Sequence, residues 1–489
     1  MINSIKYFEE NCISKFEKLE DNFLKEPTKF AEYVMGLTDE LNNLGLKMIQ
    51  ETLESMDEML RKSPIRKKNW VIESRTSKQL ITYLGEVTFQ KTLFTNKETG
   101  KSEYLLDRIA GFERNQRLTE DAEAHLLKEA VQTSYRRGGE ESSLTASVGK
   151  QTVKNKIHRL EFPKNEDVVE EKKAVDYLYI EADEDHVSLQ FREKKGDLTE
   201  NENHCKNNCL ITKLVYVHEG IEKEAPRSRR YRLINPYYFS GTRKGNENKE
   251  LWDEVYDYLD RHYELNKVKR IYVNADGGAW IKAGMKQISN LVYVLDGFHL
   301  EKYIMKLTSH MLDTAEDARA ELRNAIRKGT KEDFREVVER LKLSMETDSG
   351  LKRLEKASEY ILSNWTAAKY RLRHKEGVVG SSTEGHVSHL LSDRMSSRPM
   401  GWSQTGADKM SQLRVYDKNG GDMLELVRYQ KRNLPKAAGA EYEVLSSVQI
   451  QQSEKNRHGE LGKYTEAINH HMSLQNKKTV YFNGHIWGL

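Results

Sequence analysis

The chain has 489 residues, 32% charged and 37% hydrophobic, with a formal net charge of +3 and a mean hydropathy of -0.78. No run approaches the ~20 apolar residues that a membrane span requires, which excludes a membrane-embedded protein. The small net charge neither indicates nor excludes nucleic-acid binding, which would have to use local patches. Residues Met1–Glu10 contain no apolar signal region, and three cysteines are too few for a disulfide framework, so we predict a cytoplasmic protein.

Residues 1–68 are predicted to form charged amphipathic helices that end in a basic linker. Apolar residues recur there at helical spacings. This stripe has two interpretations: a helix packed on its own domain, or a helix for self-association. The stripe consists of Leu41, Leu44, Met48, Ile49, Leu53, Met56 and Leu60. Residues 69–112 change to β-type patterning, which predicts a small antiparallel unit.

Residues 113–165 return to helical patterning and predict a helix-turn-helix domain. Its recognition helix, Gly149–Ile157, would turn Val153 and Ile157 inward and leave a basic face for DNA. That face comprises Lys150, Gln151, Lys154 and Lys156. Any short helix with a solvated basic face has the same appearance, so this alternative stays open.

Residues 175–300 show the clearest order of elements, β-β-β-α-β-α-β. This is the order of an RNase H-like α/β fold, a mixed sheet with helices on both faces. In that fold the first and fourth strands are neighbours, which would bring Asp183 and Asp276 together. The predicted strands are Tyr177–Ile180, Leu210–Val217, Tyr231–Ile234, Ile271–Val273 and Leu291–Leu295, and the helices are Leu251–Tyr263 and Trp280–Ile288.

The remaining segments are predicted to interrupt and complete this core. Residues 301–375 form a helical insertion. Residues 376–425 return to the core and carry Glu384 at the start of a further helix, which Ser381 or Ser382 would cap. Residues 426–489 are a basic extension in which we identify no motif.

Acidic residues near the ends of apolar runs predict a divalent-metal site. Phosphoryl transfer on DNA uses two Mg²⁺ ions ~3.5–4 Å apart, and Mg²⁺ prefers carboxylate ligands. We select Asp183, Asp276 and Glu384 as catalytic residues and as ligands of Mg²⁺, with Mn²⁺ as a substitute. Glu181 and Asp185 share the strand face of Asp183, because side chains alternate along a strand. Asp183 is preferred because it directly follows the apolar run, and we expect amide variants of its two neighbours to stay active.

Two further groups of polar residues are weaker candidates. Asp296 and His299 either support a metal ligand from behind or cap the next helix, and both interpretations stay open. His204, Cys205 and Cys209 suggest zinc, but no second pair of ligands exists in the sequence, which favours a polar loop with free thiols.

At these residues the chain resembles insertion-sequence transposases of the Lre type, which are allied to the Mutator-like DDE transposases. The likeness covers most of the chain, and its motifs are specific only in combination. These motifs are Gly85–Phe89, Ile180–Val187, Asp276–Trp280, Asp296–His299, Thr383–His386 and Ser396–Trp402.

The resemblance implies an RNase H-like core, interrupted by a helical insertion, that cuts and joins DNA with Mg²⁺. Asp183, Asp276 and Glu384 would be the DDE triad. Water would hydrolyse the phosphodiester at the element end, and the 3′-hydroxyl released would attack target DNA. The sequence departs from Mutator relatives after Trp365, where the His that often follows is absent, so we assign Trp365 no function.

The resemblance also implies partners and further contacts. The partners would be element ends and target DNA, bound by a homo-oligomer associated with the nucleoid, without membrane contact. Three residues that follow the glutamate would hold phosphate or stack on a base, with ordinary packing as the alternative: Arg394, Arg398 and Trp402. Two other functions stay open, a nuclease that cuts without joining and a DNA-binding derivative that acts as a repressor.

Overall fold

The computed structural model describes residues 6–164, 171–190, 208–285, 288–373, 376–398 and 400–432. The chain forms two compact units. The first contains Met1–Leu126, Gly139–Gly149 and Lys431–Leu489, and the second contains Leu127–Gly138 and Lys150–Gln430. None of the described helices is long and apolar enough to cross a membrane.

The first unit packs a long helix on a small antiparallel sheet. The helices are Ile13–Lys25, Phe30–Lys62, Pro64–Asn69 and Leu105–Ala110, and the strands are β1 (Trp70–Ile81), β2 (Glu86–Asn96) and β3 (Ser102–Glu103). The sheet order is β1-β2-β3. The long helix, Phe30–Lys62, ends where Pro64 starts the next helix, which the Ser63 side chain caps.

The two parts of the apolar stripe on the long helix differ in burial. Its C-terminal part packs into the core of the unit, where Leu53 and Leu60 are buried beside Phe89. Its N-terminal part is uncovered, since Leu41 is 58% exposed and Met48 is 51% exposed. The packing interpretation therefore describes only the C-terminal part of the stripe.

The second unit is built on a mixed five-stranded sheet, so the chain has the predicted α/β class. The strands of this unit are β4 (Tyr177–Ser188), β5 (Cys209–His218), β6 (Gly220–Lys223), β7 (Tyr231–Ile234), β8 (Tyr237–Gly241), β9 (Arg270–Ala275) and β10 (Leu291–Leu295). The sheet order is β10-β9-β4-β5-β8, with β5 antiparallel to β4 and β8, and β9 parallel to β4 and β10. The first and fourth strands of the sheet are neighbours, as predicted.

Two strand predictions were wrong. Tyr231–Ile234 is not the third strand of the sheet, because it pairs with β6 in a separate two-stranded ribbon, and Tyr237–Gly241 takes its place. Gly220 and Asn235, both with positive φ, mark the points where the chain leaves and rejoins the sheet. Strand β4 also runs on to Ser188, so Asp183 lies within the strand rather than at its end.

Helices cover both faces of the sheet. On one face, Ile180 and Val273 pack against Trp252 of the helix Asn248–His262. On the other face, Tyr179 and Tyr272 pack with Tyr370. The helices that follow β8 are Asn248–His262, Ala279–Met285, Gly297–Leu307, Ala315–Lys328, Lys331–Leu343, Asp348–Ser363, Trp365–Arg373, Thr383–Val387, Asp393–Met395, Gln404–Lys418 and Met423–Arg432.

Three helices occupy the segment predicted as a helix-turn-helix. They are Glu120–Gln132, Tyr135–Glu140 and Lys150–His158. Val153 and Ile157 of the last helix are buried, as its pattern predicted.

Candidate functional site

Three aspartates lie in one row across the parallel strands of the sheet. The residues directly before them, on β4, β9 and β10, are register partners, so Asp183, Asp276 and Asp296 follow in register. The Asp296 N–H donates to the Ala275 carbonyl (2.9 Å), which continues the ladder beyond β10. In-register side chains of parallel strands share a face, and neighbouring strands are ~4.8 Å apart. The row therefore unites the predicted pair with Asp296.

The row carries negative charge that its surroundings only partly balance. Burial, together with the carboxylates of Asp276 and Asp296, raises the pKa of Asp183 to about 7. The Glu184 N–H, 2.8 Å from Asp183 Oδ1, and the nearby His299 side chain act in the opposite direction. A half-buried carboxylate beside two others is stabilised by any cation that joins it.

Asp276 is held by the turn that follows β9. Its Oδ1 accepts the Gly278 N–H (2.9 Å), and its carbonyl accepts the Tyr360 hydroxyl (2.6 Å). Gly277 has φ +93°, and a Cβ there would lie 2.6 Å from Asn364 Oδ1. Only glycine fits this turn without displacing its neighbours.

Asp296 and His299 form a pair at the end of the row. Asp296 caps the helix Gly297–Leu307 by accepting the His299 N–H (3.2 Å), and it also lies 3.0 Å from His299 Nδ1. Burial opposes ionisation of Asp296, but these bonds and one from Ser381 keep its pKa below the usual value. The bond to Asp296 in turn raises the pKa of His299, which burial opposes. The helix cap, one of the two interpretations left open, is thus present beside the row.

Glu384, the third predicted ligand, lies in the first turn of the helix Thr383–Val387 and is exposed. Over the described ranges, no three His, Cys, Asp or Glu side chains are arranged to hold a metal ion as they stand.

Glu181, which sequence reasoning treated as a dispensable neighbour, connects β4 to the start of that helix. It is fully buried. Its Oε2 accepts hydrogen bonds from the Tyr216 hydroxyl, the Ser381 hydroxyl (3.2 Å), the Ser382 N–H (3.0 Å) and the Thr383 hydroxyl (2.8 Å). Three of these four donors belong to consecutive residues directly before Glu384, so Glu181 anchors the segment that carries the third acid.

The charge of Glu181 is stabilised by its partners. Burial opposes ionisation, but hydrogen bonding to His218 and Tyr216 and from the Ser382 backbone keeps the pKa of Glu181 below its usual value. His218, also fully buried, has its Nε2 3.5 Å from Glu181 Oε1. A buried carboxylate with several donors persists in its charged form and orders the groups around it.

Asp185 is also buried. Its Oδ1 accepts the Ser396 hydroxyl (3.0 Å), while its Oδ2 has no hydrogen-bond partner in the described part of the chain. Both acidic neighbours of Asp183 therefore face inward.

Arg394 and Trp402 require a correction, because both side chains are buried rather than available to DNA. Arg394 donates to the Ala130 carbonyl (3.3 Å), and its guanidinium lies 5.0 Å from the Trp402 ring. Trp402 Nε1 donates to the Met395 carbonyl (2.9 Å). Burial lowers the pKa of Arg394 to about 10. Their contacts agree with the packing alternative, whereas Arg398 is exposed and its DNA contact stays a prediction.

The predicted DNA-binding side chains of the helix Lys150–His158 lie toward solvent. Lys150 and Gln151 are exposed, and Lys154 and Lys156 are half-buried. Their contact with DNA stays a prediction.

For the weak zinc candidate, Cys209 is exposed, and His204 and Cys205 lie outside the described residues.

Comparison with known proteins identifies a family. The family described as "Uncharacterised protein family (UPF0236)" matches residues 23–433. A UPF0236 protein of Caldanaerobacter subterraneus subsp. tengcongensis is 33% identical over 428 residues, which cover 87% of this chain and 86% of that protein. Another from the same organism, whose name joins eleven loci, is 32% identical and covers 85% of this chain and 83% of its own length. A UPF0236 protein of Streptococcus gallolyticus is 26% identical, covering 80% and 84%.

Among solved structures, the Drosophila P element transposase strand transfer complex is similar with a TM-score of 0.22 and 10% identity, covering 67% of this chain and 84% of that chain. A score this low supports no conclusion about fold or function. The sequence relatives are decisive: the chain belongs to the uncharacterised protein family UPF0236.

Proposed function

We propose that this protein is a DDE transposase, which cuts DNA at the ends of an insertion sequence and joins them to target DNA with Mg²⁺. The observation that carries the proposal is the row of Asp183, Asp276 and Asp296 across three parallel strands, with the pKa of Asp183 raised to about 7. A carboxylate with a perturbed pKa that lies beside other carboxylates is typical of catalytic sites.

The strand order supports an RNase H-like core. Numbered along the chain, the five strands of the sheet run 3-2-1-4-5, with only the second strand antiparallel to the first. The predicted helical insertion corresponds to five helices from Gly297 to Arg373, between the fifth strand and the helix of Glu384.

The relatives provide independent support. One of them carries a name that joins eleven loci of a single genome. Presence at many loci is what self-copying or self-moving DNA produces, and a transposase is the enzyme that such DNA encodes.

A divalent cation fits the aspartate row on electrostatic grounds. Asp183 and Asp276 would hold it, and Glu384 would be the third ligand, carried on the segment that Glu181 anchors. When bound, Mg²⁺ would polarise the phosphodiester and promote deprotonation of the attacking hydroxyl group. His299, bonded to Asp296, would place positive charge beside the row when protonated and so orient the substrate phosphate.

The decisive experiment is cleavage of DNA from both flanks of the gene by purified protein with Mg²⁺. Asp183→Asn, Asp276→Asn and Glu384→Gln each remove a ligand charge but keep side-chain volume. Each should lower the rate by at least about a thousandfold, because two-metal chemistry needs every carboxylate. DNA binding should persist, since Lys150 and its neighbours are unchanged.

The matched control is Asp257→Asn, an exposed carboxylate on the helix Asn248–His262, which should cleave like the parent. Full activity in all three triad variants would refute the proposal. A target plasmid in the same reaction separates joining from cutting alone, and binding without any cleavage by the parent would indicate the repressor.

A further inference from the structure

The hairpin Gly220–Ile234 branches from the sheet as a separate two-stranded ribbon. Strands β6 and β7 pair over four residues each, from Gly220 with Ile234 to Lys223 with Tyr231. The pairing continues where the Glu224 N–H donates to the Arg230 carbonyl (3.1 Å), and the Arg230 N–H donates to the Ser228 hydroxyl (2.9 Å). The hydrogen-bonded tip indicates a formed hairpin.

The base of the ribbon is fastened to the unit by Glu219. Its carboxylate accepts bonds from Lys173 Nζ (2.8 Å), Asn235 Nδ2 (2.9 Å) and the Tyr263 hydroxyl (3.0 Å). These three bonds keep the pKa of Glu219 low, although burial opposes this. A ribbon held at its base presents its tip at a defined place.

The ribbon concentrates positive charge. Its fifteen residues contain five Lys or Arg and two Glu, a surplus of three, which equals the +3 of the whole 489-residue chain. Arg232 is paired with Glu222 (2.7 Å). Arg227, Arg229 and Arg230 at the tip are exposed, and within the described residues their guanidinium groups form no ion pair. An exposed aromatic ring, Tyr231, 56% accessible, adjoins them.

The ribbon starts close to the aspartate row. Gly220 lies beside Tyr179, which precedes Asp183 by four residues on β4, roughly 13 Å at ~3.3 Å per residue. From Gly220 to Arg227 the arm reaches at most roughly 23 Å at the same rise. These two lengths add to roughly 36 Å, so DNA held by the tip would lie about one helical turn, roughly 34–36 Å, from the row.

We propose that this ribbon binds duplex DNA, with the three tip arginines on the phosphates or base edges of the major groove. That groove, about 12 Å wide, admits a two-stranded β-ribbon, and guanidinium groups match both phosphate and guanine. The inference rests on the proposed function for its choice of DNA as ligand. It adds a second contact surface, distinct from the helix Lys150–His158.

The test is equilibrium binding of the full chain to a labelled DNA duplex across a salt titration. Changing Arg227, Arg229 and Arg230 together to Gln should lower the salt slope by up to ~2.7, or ~0.9 for each phosphate that the protein no longer neutralises. Between about 50 and about 200 mM salt the parent should then lose about 40-fold more affinity than the variant. The triple Arg→Lys variant keeps the charge and should keep the slope.

The matched control removes three exposed cations from the helix Asp348–Ser363, by changing Lys352, Arg353 and Lys356 to Gln, and should leave the slope unchanged. An unaltered slope together with an unaltered affinity in the tip variant refutes the ribbon contact. The major groove of duplex RNA is deep and narrow and excludes side chains, so the ribbon should bind an RNA duplex more weakly than DNA. Tighter binding of an RNA duplex, abolished in the same variant, overturns DNA as the ligand. Cleavage plays no part in this assay, so an active Asp183→Asn enzyme would refute the catalytic proposal and leave the ribbon result standing.

Discussion

Asp183→Asn should stabilise the protein at alkaline pH while leaving its stability at acid pH unchanged. The pKa of Asp183 is about 7 in the folded chain and 3.8 in the reference state. The folded state therefore binds this proton more tightly than the unfolded state. Below about pH 4 the group is protonated in both states and contributes nothing. As the pH rises from about 4 to about 7, ionisation increasingly opposes folding, and above pH 7 the full penalty applies.

The penalty is about three pKa units at 1.36 kcal/mol each, or about 4 kcal/mol. Asparagine does not titrate and avoids it. The variant should thus exceed the parent in free energy of unfolding by up to about 4 kcal/mol at pH 8 and by almost nothing at pH 4. Urea unfolding measures this difference, followed by fluorescence that includes the buried Trp252 of the same unit.

Mg²⁺ should offset the penalty of ionised Asp183 and so raise the free energy of unfolding of the parent. It binds the ionised row, so it should stabilise the parent at pH 8, have little effect at pH 4, and not stabilise Asp183→Asn. A difference between parent and variant that does not change with pH would refute the electrostatic reasoning. Equal stabilisation of both proteins by Mg²⁺ would show that Asp183 does not bind the cation.

Two further predictions concern Glu181 and the uncovered helix stripe. Glu181→Gln should lower stability by about 1.5–3 kcal/mol and cleavage at least about tenfold, because it removes the charge that accepts the bonds before Glu384. Asp185→Asn should not lower stability, because it removes a buried charge whose Oδ2 has no hydrogen-bond partner in the described part of the chain. Equal effects of both changes in urea unfolding and cleavage would contradict this. The double variant Leu41→Lys, Met48→Lys should abolish self-association without lowering stability, because Val34, Leu41 and Met48 are exposed at seven-residue intervals on one helix. Sedimentation measures the mass, and Met35→Lys, which is exposed but lies off this line, is the control. An unchanged mass in the double variant would refute self-association through this stripe.

Local patterning predicted the sheet class and the adjacency that unites Asp183 and Asp276. The β-β-β-α-β-α-β order follows from the spacing of apolar residues within each short segment of the chain. This order leaves few possible topologies for the sheet. The same patterning did not distinguish Tyr231–Ile234 from Tyr237–Gly241 as the third strand, because both are short segments that begin with tyrosine and lie close together in the chain. Only pairing across the sheet decides which of them joins.

The fates of individual polar residues were decided by tertiary structure. Strand alternation placed Glu181 on the face of Asp183, but its donor Ser382 is 201 residues away, and no local pattern reveals that contact. Arg394 follows a functional motif, yet it is buried against Ala130, 264 residues earlier in the chain. Whether a charged side chain meets solvent or buried partners depends on which distant segments the fold brings to it. The sequence by itself thus determined the α/β class and the adjacency of the first and fourth strands, and the packed structure determined the third strand and what each polar group does.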